Sequence, residues 1–356
     1  MTIKDEKMIN LIGFARQMNC TDIHISMNSP AMLRRRGELI KTNFEATNDE
    51  IRKMILSMLS ENGNDMTNEC TDLISTFETP VPDSYRQRVS VFRQANQIAA
   101  SIRLLPDVLP SMESLNIPEA VINNIVMPGG ITLITGPAGS GKTTTAAALL
   151  QYIIDNYPLH IITGENPVEY IFKNGRSTVH QRRIGRDAES FSDVCRFAAI
   201  EDTDIIFISD ISDFETLNAI VASAESGISV IACFNSGSVL QTLDAIDELC
   251  PYERRERFRM RLSNVLRSIV TQKLVPSTEK SETILINEIM ISTDEIVEIL
   301  RTDKKGKVNG IMQAGGMLGM HTFNSVLVRL CSGGVISRET AIKYSPDRTD
   351  LMQYLR

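Results

Sequence analysis

Apolar side chains recur at helical spacing near the start of the chain (Met8, Ile9, Leu11, Ile12, Phe14, Ala15, Met18), which predicts a helix over 5–19. The next residues, TDIHIS, alternate as a half-buried strand does. Ala31–Lys41 and Arg88–Leu105 also read as strands, the second as a hairpin because QAN interrupts VSVF and IAASIRLL between alternating faces. Between them Glu50–Leu59 has a helical pattern. Three prolines between 106 and 118 restrict the backbone and resist helix, so this stretch reads as a linker. Beyond it, short runs apolar on both faces alternate with helical segments: ITLIT at 131–135, HIIT at 160–163, DIIFIS at 204–209, SVIACF at 229–234 and TILINEIMI at 283–291. A largely parallel sheet covered by helices requires such runs. From about 292 to 356 the pattern is of helices broken by glycines. The expectation is an α/β chain with a first domain over 1–105, a linker over 106–118 and a second domain over 119–356 that ends in a helical tail.

Composition narrows the function classes. Lys and Arg number 37 against 44 Asp and Glu, a net charge of −7, which argues against nucleic acid as the main partner. No apolar run approaches the ~20 residues of a membrane span, so no direct membrane insertion is expected. The start, MTIKDEKMINLIGFARQ, has acidic residues and an amphipathic pattern where a signal peptide would need a basic n-region and an apolar h-region, so a cytoplasmic location is expected. Cys20, Cys70, Cys195, Cys233, Cys250 and Cys331 form no CxxC pair and read as reduced thiols filling cores.

The segment GPAGSGKTT places Gly136, Gly141, Lys142 and Thr143 in phosphate-loop spacing between an apolar strand and a helix. Backbone N–H groups of Gly136, Ala138, Gly139, Ser140, Gly141 and the first helical turn, through Thr144, would surround the phosphates of ATP, with Pro137 part of the same turn but without an N–H to donate. Lys142 would reach the β- and γ-phosphates, and the Thr143 hydroxyl would ligate magnesium. Asp210 ends the apolar run DIIFISD, where a P-loop protein places a metal-side or water-activating carboxylate, or where an acid simply caps the next helix. Glu165 and Glu169, in IITGENPVEY, follow another strand end, where ligands of open α/β sheets gather, although an acid before proline is also a turn signal.

From about residue 5 to 352 the chain resembles the type IV pilus retraction (twitching motility, PilT) ATPase family of secretion ATPases. GPAGSGKTTT is similar to its Walker A loop, IITGENPVEY to its Asp box, IEDTDIIFISDISDFETL to its Walker B segment and AESGISVIACFNSGS to its His box. QRRIG at 181–185, SFSDVCRFAAIEDTD, TQKLVP, GMHTFNSVL and GVISRETAIKYSPD follow in the family's order. The resemblance implies an N-terminal PAS-like domain, a RecA-like P-loop ATPase domain and a homohexameric ring that uses ATP and Mg2+. It also implies a cytoplasmic location at the inner face of the cell membrane, against a pilus platform protein, with another pilus ATPase as a further partner. Arg88 and Arg103 match the family's arginines that reach the phosphates across an interface; periodicity alone makes them the solvent face of a hairpin.

The departures concern hydrolysis. The Walker B glutamate is Asp210, flanked by Ser209 and Ser212 in place of glycine and arginine; the Asp box acid is Asn166, and the His box histidine is Asn235. Nucleotide binding is therefore expected to survive better than turnover. Pilus retraction by ATP hydrolysis, with Asp210 orienting water, Glu165 supporting the site and Arg88 and Arg103 coupling neighbours, is the leading reading. A catalytically weak ATP-binding structural or regulatory subunit is the alternative. The arginine run Arg254, Arg255, Arg257, Arg259 and Arg261 reads as a solvated helix face, or as a ring or platform contact, and His24 and His321 as structural histidines. DEIVEILRTDKKGKV matches poorly the Ala-Ile-Arg-Asn-Leu-Ile helix that the family carries there.

Overall fold

The computed structural model describes residues 5–35, 37–44, 46–59, 75–78, 87–95, 97–105, 109–279 and 283–355. Cys70 and part of the expected linker, 106–108, lie outside the described residues. The chain divides into two units, Met1–Leu109 with Pro167–Tyr170, and Pro110–Asn166 with Ile171–Arg356.

Among the described residues, the first unit is an antiparallel sheet with two helices. Its strands are β1 (Asp22–Ser26), β2 (Met32–Arg35), β3 (Glu38–Lys41), β4 (Ser75–Glu78), β5 (Gln87–Gln94) and β6 (Gln97–Leu104), in the order β3-β2-β1-β6-β5-β4. The helix Glu6–Gln17 starts where Asp5 accepts from the Met8 N–H at 3.0 Å. Its Met8, Leu11 and Ile12 pack with Met54 and Ile55 of the helix Asn48–Leu59 and with Ile23, Leu33, Val89 and Ile102 of the sheet. The span read as one strand, 31–41, is two: it turns at Gly37, whose carbonyl accepts from Arg34 Nη1 at 2.8 Å.

The second unit holds β7 (Gly130–Gly136), β8 (His160–Glu165), β9 (Thr178–Arg183), β10 (Ile205–Ile208), β11 (Ser229–Asn235), β12 (Leu266–Pro276) and β13 (Thr283–Ile291), in the order β13-β12-β7-β11-β10-β8-β9. All neighbours are parallel except β12 and β13. β7 and β10 are buried along their whole length, as a sheet covered on both faces demands. β9 and β12 escape the apolar-run criterion: β9 is a polar edge strand, and β12 starts directly where the arginine-rich helix Arg255–Val265 stops. The expected linker also contains a helical turn, Met112–Leu115, flanked by Pro110 and Pro118 and closed by Asn116 in the left-handed region. Among the described residues, the tail forms five α-helices (Asp294–Arg301, Val308–Ala314, Phe323–Ser332, Arg338–Tyr344, Arg348–Tyr354). Part of it closes a small core of Val275, Ile286, Phe323, Leu327 and Leu351.

One buried carboxylate ties tail to sheet. Glu288 on β13, 3% exposed, accepts from the backbone N–H of Val239 and, at 3.2 Å, of Phe323, the first residues of two helices. Burial pushes this carboxyl above its usual range, against the pull of both N–H groups and Lys273.

Candidate active site

The site lies at the C-terminal ends of β7, β10 and β11, which are neighbours in the order β7-β11-β10. After β7 the chain turns through Pro137–Ser140, and the helix Lys142–Asn156 begins at Gly141, which caps it at φ 88°. Gly136 has φ 155°, and a Cβ on it would lie 2.4 Å from Ser140 Oγ and 2.5 Å from the Gln272 carbonyl, so only glycine fits. Pro137, Ala138 and Gly139 are exposed, while Ser140 is buried. The Lys142 ammonium donates to the carbonyls of Gly136 at 2.9 Å and Pro137 at 3.0 Å. Burial lowers its pKa, against the Cys233 thiol and the Asp210 carboxylate. Thr143 and Thr144 are half-buried in the first helical turn.

Asp210 follows β10 and accepts from Asn235 Nδ2, at the end of β11, at 3.3 Å. Burial pushes its carboxyl up, Lys142 pulls it down and Asp213 adds to the rise. The capping role belongs to Asp213, which accepts from the Thr216 N–H at 2.7 Å at the start of the helix Phe214–Glu225. The Asn166 N–H donates to Ser209 Oγ at 3.2 Å, joining the ends of β8 and β10 through two of the departures.

Glu165 is 2% exposed and held from within: Thr163 Oγ1 donates at 2.6 Å and Gln181 Nε2 at 3.0 Å. Gln181 of β9 in turn accepts from the Phe172 N–H at 2.9 Å. The first unit holds the remaining site candidates. Arg88 and Arg103 face each other across β5 and β6, and each has a carboxylate: Glu169 at 3.2 Å for Arg88, and Asp22 at 2.9 Å for Arg103. Asp22 and the hydroxyls below the loop gave no motif and were missed by sequence reasoning. A line of hydroxyls joins β7, β12 and the helix Val239–Leu249: Thr135 to Thr271 at 2.7 Å, Thr242 to Thr135 at 3.2 Å and Ser236 to Thr242 at 2.5 Å.

Other expected features have ordinary uses. Arg259 pairs with Asp247 and Asp303, and Arg261 with Glu225, so part of the arginine run is structural. His24 meets Ser101 Oγ at 3.1 Å, and His321 meets Asn287 at 2.8 Å. Cys20, Cys195, Cys233 and Cys250 are buried and Cys331 half-buried, with no disulfide among the described residues; burial pushes Cys195 up to about 12. Among the described residues there is no cluster of three metal-ligating His, Cys, Asp or Glu, and no helix long and apolar enough to cross a membrane.

A family model described as Type II/IV secretion system protein matches residues 75–317. The chain is 32% identical over 332 residues to a Pseudomonas aeruginosa protein named type IV pilus retraction ATPase PilT, covering 93% of this chain and 96% of that one. It is 29% identical over 311 residues to a Neisseria gonorrhoeae twitching motility protein, covering 87% and 83%. Its fold matches the crystal structure of the pilus retraction motor PilT with bound ADP at a TM-score of 0.86 and 32% identity, over 97% and 98% of the two chains.

Proposed function

This chain belongs to the Type II/IV secretion system protein family, and from that premise we propose that it is an ATPase that powers pilus retraction. The single observation that carries the reading is the phosphate loop at the end of β7, with Asp210 following β10 one strand beyond β11 and accepting from Asn235 at the end of that strand. The loop's amides and the start of the helix Lys142–Asn156 offer partial positive charge to phosphates, and Lys142 can exchange its two carbonyl acceptors for phosphate oxygens. The Thr143 hydroxyl and the Asp210 carboxylate are hard oxygen donors of the kind magnesium takes, and a cation there would relieve a carboxylate that burial disfavours. Magnesium held there would supply positive charge against the phosphate oxygens. Asp210 then orients the attacking water, and Asn235 holds Asp210 by one hydrogen bond. Glu165 supports the end of β8 next to Asn166, through Thr163 and Gln181.

The functional form is a homohexameric ring in the cytoplasm, at the inner face of the cell membrane, acting on a membrane platform protein. Arg88 and Arg103 exchange their carboxylate partners for phosphate when neighbouring subunits close. A second reading, a nucleotide-binding subunit that assists another pilus ATPase, is favoured by the neutral amides Asn166 and Asn235 at the site. Steady-state Mg-ATP hydrolysis by the purified oligomer, with Lys142→Ala as control and ADP binding in parallel, separates the two. Turnover lost in the control supports the motor; tight binding without turnover supports the assisting subunit.

A further inference from the structure

Strand β12 brings a polar side chain to the underside of the phosphate loop. Gln272 is 1% exposed, and its Nε2 donates to the Ser140 carbonyl at 2.7 Å. That contact settles the orientation of the amide, since the opposite one would set Oε1 against another oxygen. Oε1 is buried with no hydrogen-bond partner among the described residues, and so is Ser140 Oγ in the loop. A methionine of similar length would remove the unpaired Oε1 but would also leave the Ser140 carbonyl without its donor. A side chain that is costly for folding and tied to the loop is best explained by what it does for the loop.

The effect passes through one peptide. Peptide planarity points a C=O and the N–H of the next residue in opposite directions. Anchoring the Ser140 oxygen to β12 therefore turns the Gly141 N–H away from the sheet. We infer that Gln272 is a positioning residue for the phosphates of a nucleoside di- or triphosphate: it sets the Ser140–Gly141 peptide so that the Gly141 N–H faces the ligand. The inference rests on the nucleotide-binding reading above and deepens it.

The test titrates a fluorescent ADP analogue into the full-length oligomer of wild type, Gln272→Met, Gln272→Glu and Lys142→Ala, with thermal unfolding followed without nucleotide and KM and kcat measured wherever turnover is present. Both Gln272 variants are expected to bind at least about tenfold more weakly, with KM raised more than kcat is lowered. Gln272→Met exchanges an unpaired Oε1 for an unpaired Ser140 carbonyl, so its unfolding temperature is expected to stay close to that of wild type while its affinity falls; a merely structural role would lower the unfolding temperature and leave KM unchanged. Affinity within twofold of wild type in both variants overturns the inference, and so does failure of both to fold, which would assign Gln272 to structure alone. If wild type binds, Lys142→Ala does not and the Gln272 variants do, this inference falls and the nucleotide reading stands. If wild type itself does not bind, both fall.

Discussion

Replacing Glu288 by glutamine tests how the tail is fastened to the sheet. The carboxylate accepts two backbone N–H groups at the first turns of the helices Val239–Leu249 and Phe323–Ser332. A glutamine has one acceptor oxygen, and its NH2 would point a donor at the other N–H. One charge-assisted bond, of about 1.5–3 kcal/mol, is lost and a buried donor is left unpaired, while the second bond weakens to a neutral one. Against this, the desolvation that pushes the Glu288 carboxyl up disappears. The net is a loss of roughly 2–3 kcal/mol, which for a unit of this size is on the order of 5–10 °C in Tm. Differential scanning calorimetry of the full chain at pH 7.5, far from the carboxyl titration of exposed acids, reads this shift. A shift under about 2 °C would refute the double-capping argument.

Three further outcomes are expected. Asp210→Glu should lower turnover by about 10²-fold, because a working acid is moved by one methylene; a rise in steady-state hydrolysis would mean that Asp210 is a decayed glutamate. Gly136→Ala should weaken ADP binding at least tenfold, since its Cβ would meet the Gln272 backbone at 2.5 Å; unchanged binding would refute the close packing of loop on β12. His321 has its pKa lowered from 6.5, first by burial and also by Arg329, against the Gly319 carbonyl and Asn287. The native state therefore holds the proton less tightly than the unfolded chain, and stability is lost as pH falls below 6.5 through the native value. His321→Gln should remove that slope in Tm, and a wild type with no slope over this window would contradict it.

The sequence made the phosphate loop legible because its residues are consecutive and its geometry is local. Asp210 was legible for a similar reason, as the end of an apolar run, but only the structure separates it from the cap, a role that Asp213 takes three residues on. Gln272 stands more than a hundred residues from the loop it supports, in the polar-rich TQKLVP, where periodicity gives no signal. Gln181, which holds Glu165, sits on an edge strand whose alternating polar residues do not form an apolar run. The carboxylate partners of Arg88 and Arg103, Glu169 and Asp22, are each 81 residues away, and spacing along a chain cannot reveal such pairs. The hairpin that carries both arginines was readable because its alternation is local.

The order β13-β12-β7 has a consequence for how the protein is made. The loop strand and its helix leave the ribosome early, yet the strand that underlies the loop follows only after β8, β9, β10 and β11. Contacts between segments so distant in sequence form late, because loop-closure entropy must be overcome first. A nascent chain released before β12 would hold every residue of the Walker A motif and still lack the floor on which the loop rests. Ligand affinity measured on chains arrested at increasing lengths should therefore rise as a step when β12 emerges, with no gradual gain beforehand.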